Sequence, residues 1–353
     1  MKSLIVPVPK FSTFFLTVTL TSSVARLSAF EIVVDYSYDT NNFFNTPERR
    51  EALEAVAARY SRVINSNLLG VSPSGTDTGT GEGWRLGFTH PGTGDTIQIS
   101  TAADDKSDPL VARGLSGADV YGFEGLQKNQ WILYAGGRAL SSAGLGGTGG
   151  GTNFSGVFND IDGPYHRGFD DNTPTDSGKD LPRWGGAITF NTATAWHFAL
   201  DQVAGSGLVD FYSIALHELG HALGLASDWN QLPHNGAGGY TGASVLDEYN
   251  QANNTSATFL DLDSSDDFHW SDGSYDSPIF EYGDPNLVGT VGLGQPQDLL
   301  MEPEANLNSV QRRLELTNMD VAALRDVGWS VIPEPSSLSL LGLALAFSLR
   351  RRR

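Results

Sequence analysis

The stretch HELGHALGLASDWN, residues 217–230, sets two histidines four positions apart with a glutamate beside the first. It closes an apolar run, LVDFYSIALHELGHAL (208–223), that reads as one buried helix with Gly224 as its stop. Residues i and i+4 share a helix face, so His217 and His221 can aim their rings at one point. Glu218 lies about 100° further round, near that point without facing it. Polar side chains on a buried helix need partners, and a metal ion supplies one. Two imidazoles leave a zinc site short of a ligand, however, and Ser227, six positions beyond His221, is a poor donor.

The missing ligand has three candidates. His269, in Phe268-His269-Trp270, is the only histidine between His234 and the C-terminus, and a neutral imidazole suits zinc well. Asp228 is second choice, since carboxylates also bind zinc, and His234 in QLPHNG is third. His90, His166 and His197 precede the helix and read as structural or exposed. A zinc ion held this way lowers the pKa of a bound water to roughly 7, where Glu218 can act as general base. The reaction class is metal-assisted hydrolysis of an amide.

Upstream, FEIVVDYS (30–37) alternates as a strand and PERREALEAVAARYSRVINS (47–66) has helical spacing behind an initial proline. Strands are expected at 96–100 (TIQIS), 130–135 (QWILYA) and 186–191 (GAITFN). The glycine-rich stretch 136–151 (GGRALSSAGLGGTGGG) reads as a surface loop. Downstream, a final helix is expected near 318–326 (NMDVAALRD). The order argues for an α+β domain: a twisted mixed sheet, an active-site helix beneath it and a loop-rich C-terminal part. The 47 residues between His221 and His269 are too many for a bare connection. Their aspartates and those just beyond (Asp261, Asp263, Asp266, Asp267, Asp272) make calcium a second candidate cofactor, although a solvated acidic surface is the preferred reading.

Several of these segments resemble the metzincin clan of zinc endopeptidases. HELGHALG is similar to the clan's metal helix with its turning glycine. Asp298-Leu299-Leu300-Met301-Glu302-Pro303 is similar to its methionine turn, with Met301 beneath the metal. LELTNMDVAALRDVGW (314–329) resembles the helix that closes matrixin-type catalytic domains. YTGASVLDEYNQ (240–251), LDLDS (260–264) and Phe268-His269-Trp270 resemble the leishmanolysin-like members, which carry an insertion before the third histidine. The resemblance implies a metzincin-like fold over 30–330, divided into 30–223 and 224–330. It also implies one catalytic zinc on His217, His221 and His269, and protein or peptide substrates lying along the sheet's edge strand. It selects GAITFN for that edge, specifically Gly186, Ala187, Ile188, Thr189 and Phe190.

The two ends concern location. Residues 1–29 carry Lys2 and Lys10, an apolar run and small residues before Phe30, the layout of a signal peptide cleaved after Ala25 or Ala29. At the other end, Pro333-Glu334-Pro335 precedes SSLSLLGLALAFSL and Arg350 to Arg353. This apolar run of about 14 residues is short for a bilayer span of roughly 20, and the arginines would hold it to the cytoplasmic side. Residues 331–353 resemble the PEP-CTERM sorting signal of Gram-negative bacteria. That implies recognition by an exosortase, transient membrane association through the tail, and delivery to the cell surface or extracellular matrix.

Net charge is −19, and becomes −26 once Lys2, Lys10, Arg26 and the four terminal arginines are removed. A chain this acidic is repelled by nucleic acid, which is excluded as a partner. With no cysteine, the chain has neither disulfides nor thiolate metal sites. Two functions fit these observations: an exported zinc endopeptidase using Glu218 as base, or a non-catalytic surface or biofilm matrix protein whose metzincin-like fold is stabilised by zinc.

Overall fold

The computed structural model describes residues 30–70, 84–100, 126–148, 150–153, 184–225, 239–264, 269–280, 287–290, 296–303 and 313–332. The predicted signal peptide, the tail from Pro333, Asp228, His234 and His166 lie outside these residues, as do Asp266 and Asp267.

The central sheet has four strands: β1 (Glu31–Asp35), β4 (Gln130–Arg138), β7 (Gly185–Asn191) and β5 (Gly144–Thr148), side by side in that order. β1, β4 and β7 run parallel, and β5 is antiparallel to β7. Alternation along β4 sorts two cores. Trp131, Leu133 and Ala135 face the helices, while Tyr134 joins Phe88, Ile97, Trp184 and Tyr38 on the other face. That second face is covered by a three-stranded antiparallel sheet, with β2 (Trp84–Thr89) between β3 (Thr96–Ser100) and β6 (Gly150–Asn153).

The helical face carries α1 (Pro47–Val63) and α2 (Phe211–Ala222). α1 buries Leu53, Val56, Ala57, Tyr60 and Val63, a stripe at spacings of three and four. α2 is almost wholly buried, and its cap Asp210 accepts from the Ser213 N–H. The Arg313 guanidinium pairs with Asp210 at 2.8 Å and also donates to the carbonyls of Ala199 and Leu200. It thereby locks the helix start to distant loops. A short parallel pair, β8 (Trp196–His197) and β9 (Val209–Asp210), leads into α2.

Beyond α2 come β10 (Gly239–Tyr240), α3 (Ala243–Asn253), β11 (Leu260–Asp261), β12 (Asp276–Pro278), β13 (Pro296–Asp298) and α4 (Asn318–Asp326). β10 pairs with β11, and β12 with β13. The long segment before His269 thus has structure of its own in α3. The N-cap of α3 is Gly242, which has no side chain to offer. Asp326 substitutes from the last turn of α4, accepting from the Ser244 and Val245 N–H groups. A carboxylate unfavourable at one helix's C-terminus therefore serves another's N-terminus.

Two expectations are corrected. Residues 136–151 are largely strand, comprising the end of β4, all of β5 and the start of β6. GAITFN is not the edge: β7 is bonded on both sides, to β4 and β5, and the edge is β5. Apolar β-formers mark strands buried on both faces, which are central strands. The edge here is glycine-rich because helix α2 lies against it. A Cβ at Gly146 would overlap the Glu218 backbone carbonyl, and one at Gly144 would meet the Glu218 side chain at 2.6 Å.

Candidate metal centre

The end of α2 is built to aim His221. Gly224, at φ +99°, lets the Leu225 N–H bond the Gly220 carbonyl and its own N–H bond that of His221, a Schellman closure. The reversed chain brings the Leu225 carbonyl to His221 Nδ1 at 3.1 Å. On the adjacent turn, His217 Nδ1 meets the Leu300 carbonyl at 2.7 Å. A carbonyl only accepts, so each ring carries its proton on Nδ1 and presents a bare lone pair at Nε2.

Those lone pairs converge. His221 Nε2 lies 3.0 Å from His217 Nε2 and 3.2 Å from His269 Nε2. One ligand nitrogen from each of the three residues falls within 4.8 Å of the others. Nitrogens about 2.0–2.1 Å from a tetrahedral zinc stand about 3.3 Å apart. Two bare lone pairs 3.0 Å apart repel one another unless a cation lies between them, so the donor set fits a divalent metal that favours imidazole. Burial, with the neighbouring imidazoles, pushes His217 down to about 4 and His221 well below the ordinary histidine range. Both rings are therefore neutral near pH 7, as ligands must be.

Met301 lies fully buried against α2. A Cβ on Gly220 would stand 2.8 Å from Met301 Sδ and 3.0 Å from the Tyr60 hydroxyl, so glycine is required for that approach. The turn around Met301 steadies two ligands at once. Leu300 offers its carbonyl to His217, and Met301 offers its own to the Trp270 N–H at 3.0 Å, next to His269. A bridge between Leu262 and Trp270, with the Asp263 N–H bonded to the His269 carbonyl, holds the other side of that segment.

Glu218 follows His217 on the helix and is 8% exposed. Burial raises its pKa to about 7, opposed by one bond from the Gly146 N–H to Oε2 at 2.6 Å. That N–H belongs to β5, which among the described residues is an edge strand of the sheet. Leu145, 46% exposed, projects from the same strand. Among the other histidines, His90 is buried and accepts from the Gly92 and Thr93 N–H groups, while His197 meets the Gln202 carbonyl. Neither joins the cluster.

The contributions of Gly144, Gly146, Leu225 and Leu300 were not visible from residue chemistry. They act through backbone atoms or through the absence of a side chain. Only the glycine run 144–147 signalled them, and it looks like a loop.

Comparison with known proteins informs the tail. Residues 331–353 match the PEP-CTERM protein-sorting motif. No curated protein and no solved structure matches the chain. The motif marks an exported protein that is sorted at the cell envelope by exosortase-type machinery. Among the described residues, no helix is long and apolar enough to cross a membrane.

Proposed function

We propose that this chain is an exported, zinc-dependent endopeptidase of metzincin-like fold, acting on surface or matrix proteins. One observation carries the reading. The buried Glu218 carboxylate, held by the Gly146 N–H of edge strand β5, sits on the helix that carries two of three converging imidazoles.

His217, His221 and His269 would hold the zinc ion, which supplies a Lewis acid for a substrate carbonyl and activates water near neutral pH. Glu218 takes the proton of the attacking water and passes it to the departing amine, a task suited to a base with pKa near the working pH. The Gly146 N–H holds the carboxylate on the side of the scissile bond. An extended peptide pairs with edge strand β5, from which Leu145 offers an apolar contact. A structural zinc site has no use for a base in this position, which favours the enzyme over a matrix protein stabilised by metal.

The test combines metal content with casein cleavage by the purified protein. One zinc per chain and cleavage abolished by chelation are expected. Glu218→Gln should keep the zinc and lose about 10²- to 10⁴-fold in cleavage rate. His269→Ala should lose zinc. A Glu218→Gln protein as active as the parent would overturn the mechanism, and a zinc-loaded parent with no cleavage of any protein or peptide library would favour the matrix role.

A further inference from the structure

The two ends of the folded domain leave it at one place. Phe30, the first described residue, is buried, and its ring packs edge-on against Trp329 at 5.4 Å. The predicted signal-peptide cleavage lies at or just before that residue. At the other end, the Ser330 carbonyl accepts from the Asn65 N–H, Val331 pairs with Ile64, and the Ile332 N–H bonds the Val63 carbonyl at 2.9 Å. The Trp329 indole N–H donates to the Leu223 carbonyl, which pins this last segment to the end of α2. Residues 65–70, with Leu69 exposed, complete the same pole beside Asn129 and the start of β1.

The sorting tail begins with no slack. Ile332 is still hydrogen-bonded into the fold, and the matched motif already starts at Val331. Three residues, Pro333-Glu334-Pro335, separate Ile332 from the apolar run, and three residues of any chain span at most about 11 Å. A domain of about 300 residues has a radius of gyration near 19 Å. A tether shorter than that radius allows only one part of the surface to approach a bilayer that holds the tail.

We propose that the pole formed by Phe30, residues 65–70 and Trp329–Ile332 is the face this domain presents to the lipid bilayer while its tail is engaged. β5 then stays on the aqueous side. β1, at the pole, and β5, beside Glu218, are opposite edges of the sheet, three strand spacings or about 14 Å apart. The acidic domain has no attraction of its own for anionic lipid, so the tether sets the orientation. This holds whether or not the site hydrolyses peptides.

The chain has no cysteine, so single reporters are clean. Full-length Leu69→Cys and Leu145→Cys carry a fluorophore and are reconstituted into phosphatidylethanolamine–phosphatidylglycerol vesicles containing a nitroxide-headgroup lipid. Flotation with the vesicles and several-fold stronger quenching at position 69 than at 145 are expected. Inserting 20 Gly/Ser residues between Ile332 and Pro333 should reduce quenching at 69 to the level at 145. Failure to float, equal quenching at the two sites, or quenching at 69 that survives the insertion each overturns the proposal.

Discussion

Helices α2 and α4 each bury a carboxylate, and the two carboxylates end in opposite situations. Burial raises Glu218 to about 7 and Asp320 to about 6. Both helices close on a glycine with positive φ, Gly224 and Gly328, in the same Schellman pattern. Asp320 nonetheless sits in a capping box, with its Oδ2 accepting from the Thr317 N–H and hydroxyl and from the Leu300 N–H. Among the described residues, Glu218 accepts from the Gly146 N–H alone. A buried carboxylate with one oxygen held by three donors, two of them in its own helix cap, holds structure. One left with a single backbone donor at a strand edge is available for proton transfer.

The widest separation should come from amide substitutions made in parallel. Glu218→Gln removes the base and costs about 10²- to 10⁴-fold in cleavage with little change in melting temperature. Asp320→Asn should change cleavage by less than about tenfold and lower the melting temperature instead. If both variants lost activity equally and kept their stability, the division between the two roles would collapse.

Removing the Asp320 side chain altogether is the next largest effect. Asp320→Ala leaves the Thr317 N–H and hydroxyl without their acceptor inside the core and frees the Leu300 N–H. Denaturant titration should show a loss of about 2–4 kcal/mol. A loss below about 1 kcal/mol would mean that the capping box is ornamental.

How much of this was legible follows the same line. Part of the helix punctuation was: Pro47 and Gly224 sit where local chemistry puts them. The apolar alternation of β1, β4 and β7 was equally plain. β5 was not, because three glycines in five residues leave no apolar pattern to read; a Cβ at Gly144 or Gly146 would meet Glu218. The candidate site divides likewise. His217, Glu218 and His221 form a local pattern. His269 enters through the backbone bonds of Trp270 and Asp263, and the carbonyls that orient the rings carry no residue signature at all.

The raised pKa of Asp320 gives a smaller, pH-dependent effect. Its folded value of about 6 exceeds the ordinary 3.8, so the native state binds the extra proton between those limits. Its contribution is then complete below about pH 4 and lost as pH rises through 6. The penalty of Asp320→Asn should accordingly shrink between pH 4 and pH 7, by on the order of 2–3 kcal/mol. Taking the difference between parent and variant at each pH cancels the titration of the histidines. A penalty that stays constant or grows with pH would show that Asp320 is ionised throughout.

The finest distinction lies in the two closing glycines. Gly224→Ala and Gly328→Ala each force an L side chain into positive φ and should cost about 1–2 kcal/mol, nearly the same for both. Their consequences for metal should differ. Beyond Gly224 the Leu225 carbonyl orients His221, whereas beyond Gly328 the Trp329 indole N–H donates to the Leu223 carbonyl. Disturbing a carbonyl that fixes a ligand ring costs about 10- to 100-fold in metal affinity. Competition with a zinc chelator should therefore show weakened binding in Gly224→Ala and near-parental binding in Gly328→Ala. Equal weakening in both would mean that affinity follows overall stability and that the Leu225 carbonyl has no separate part in aiming His221.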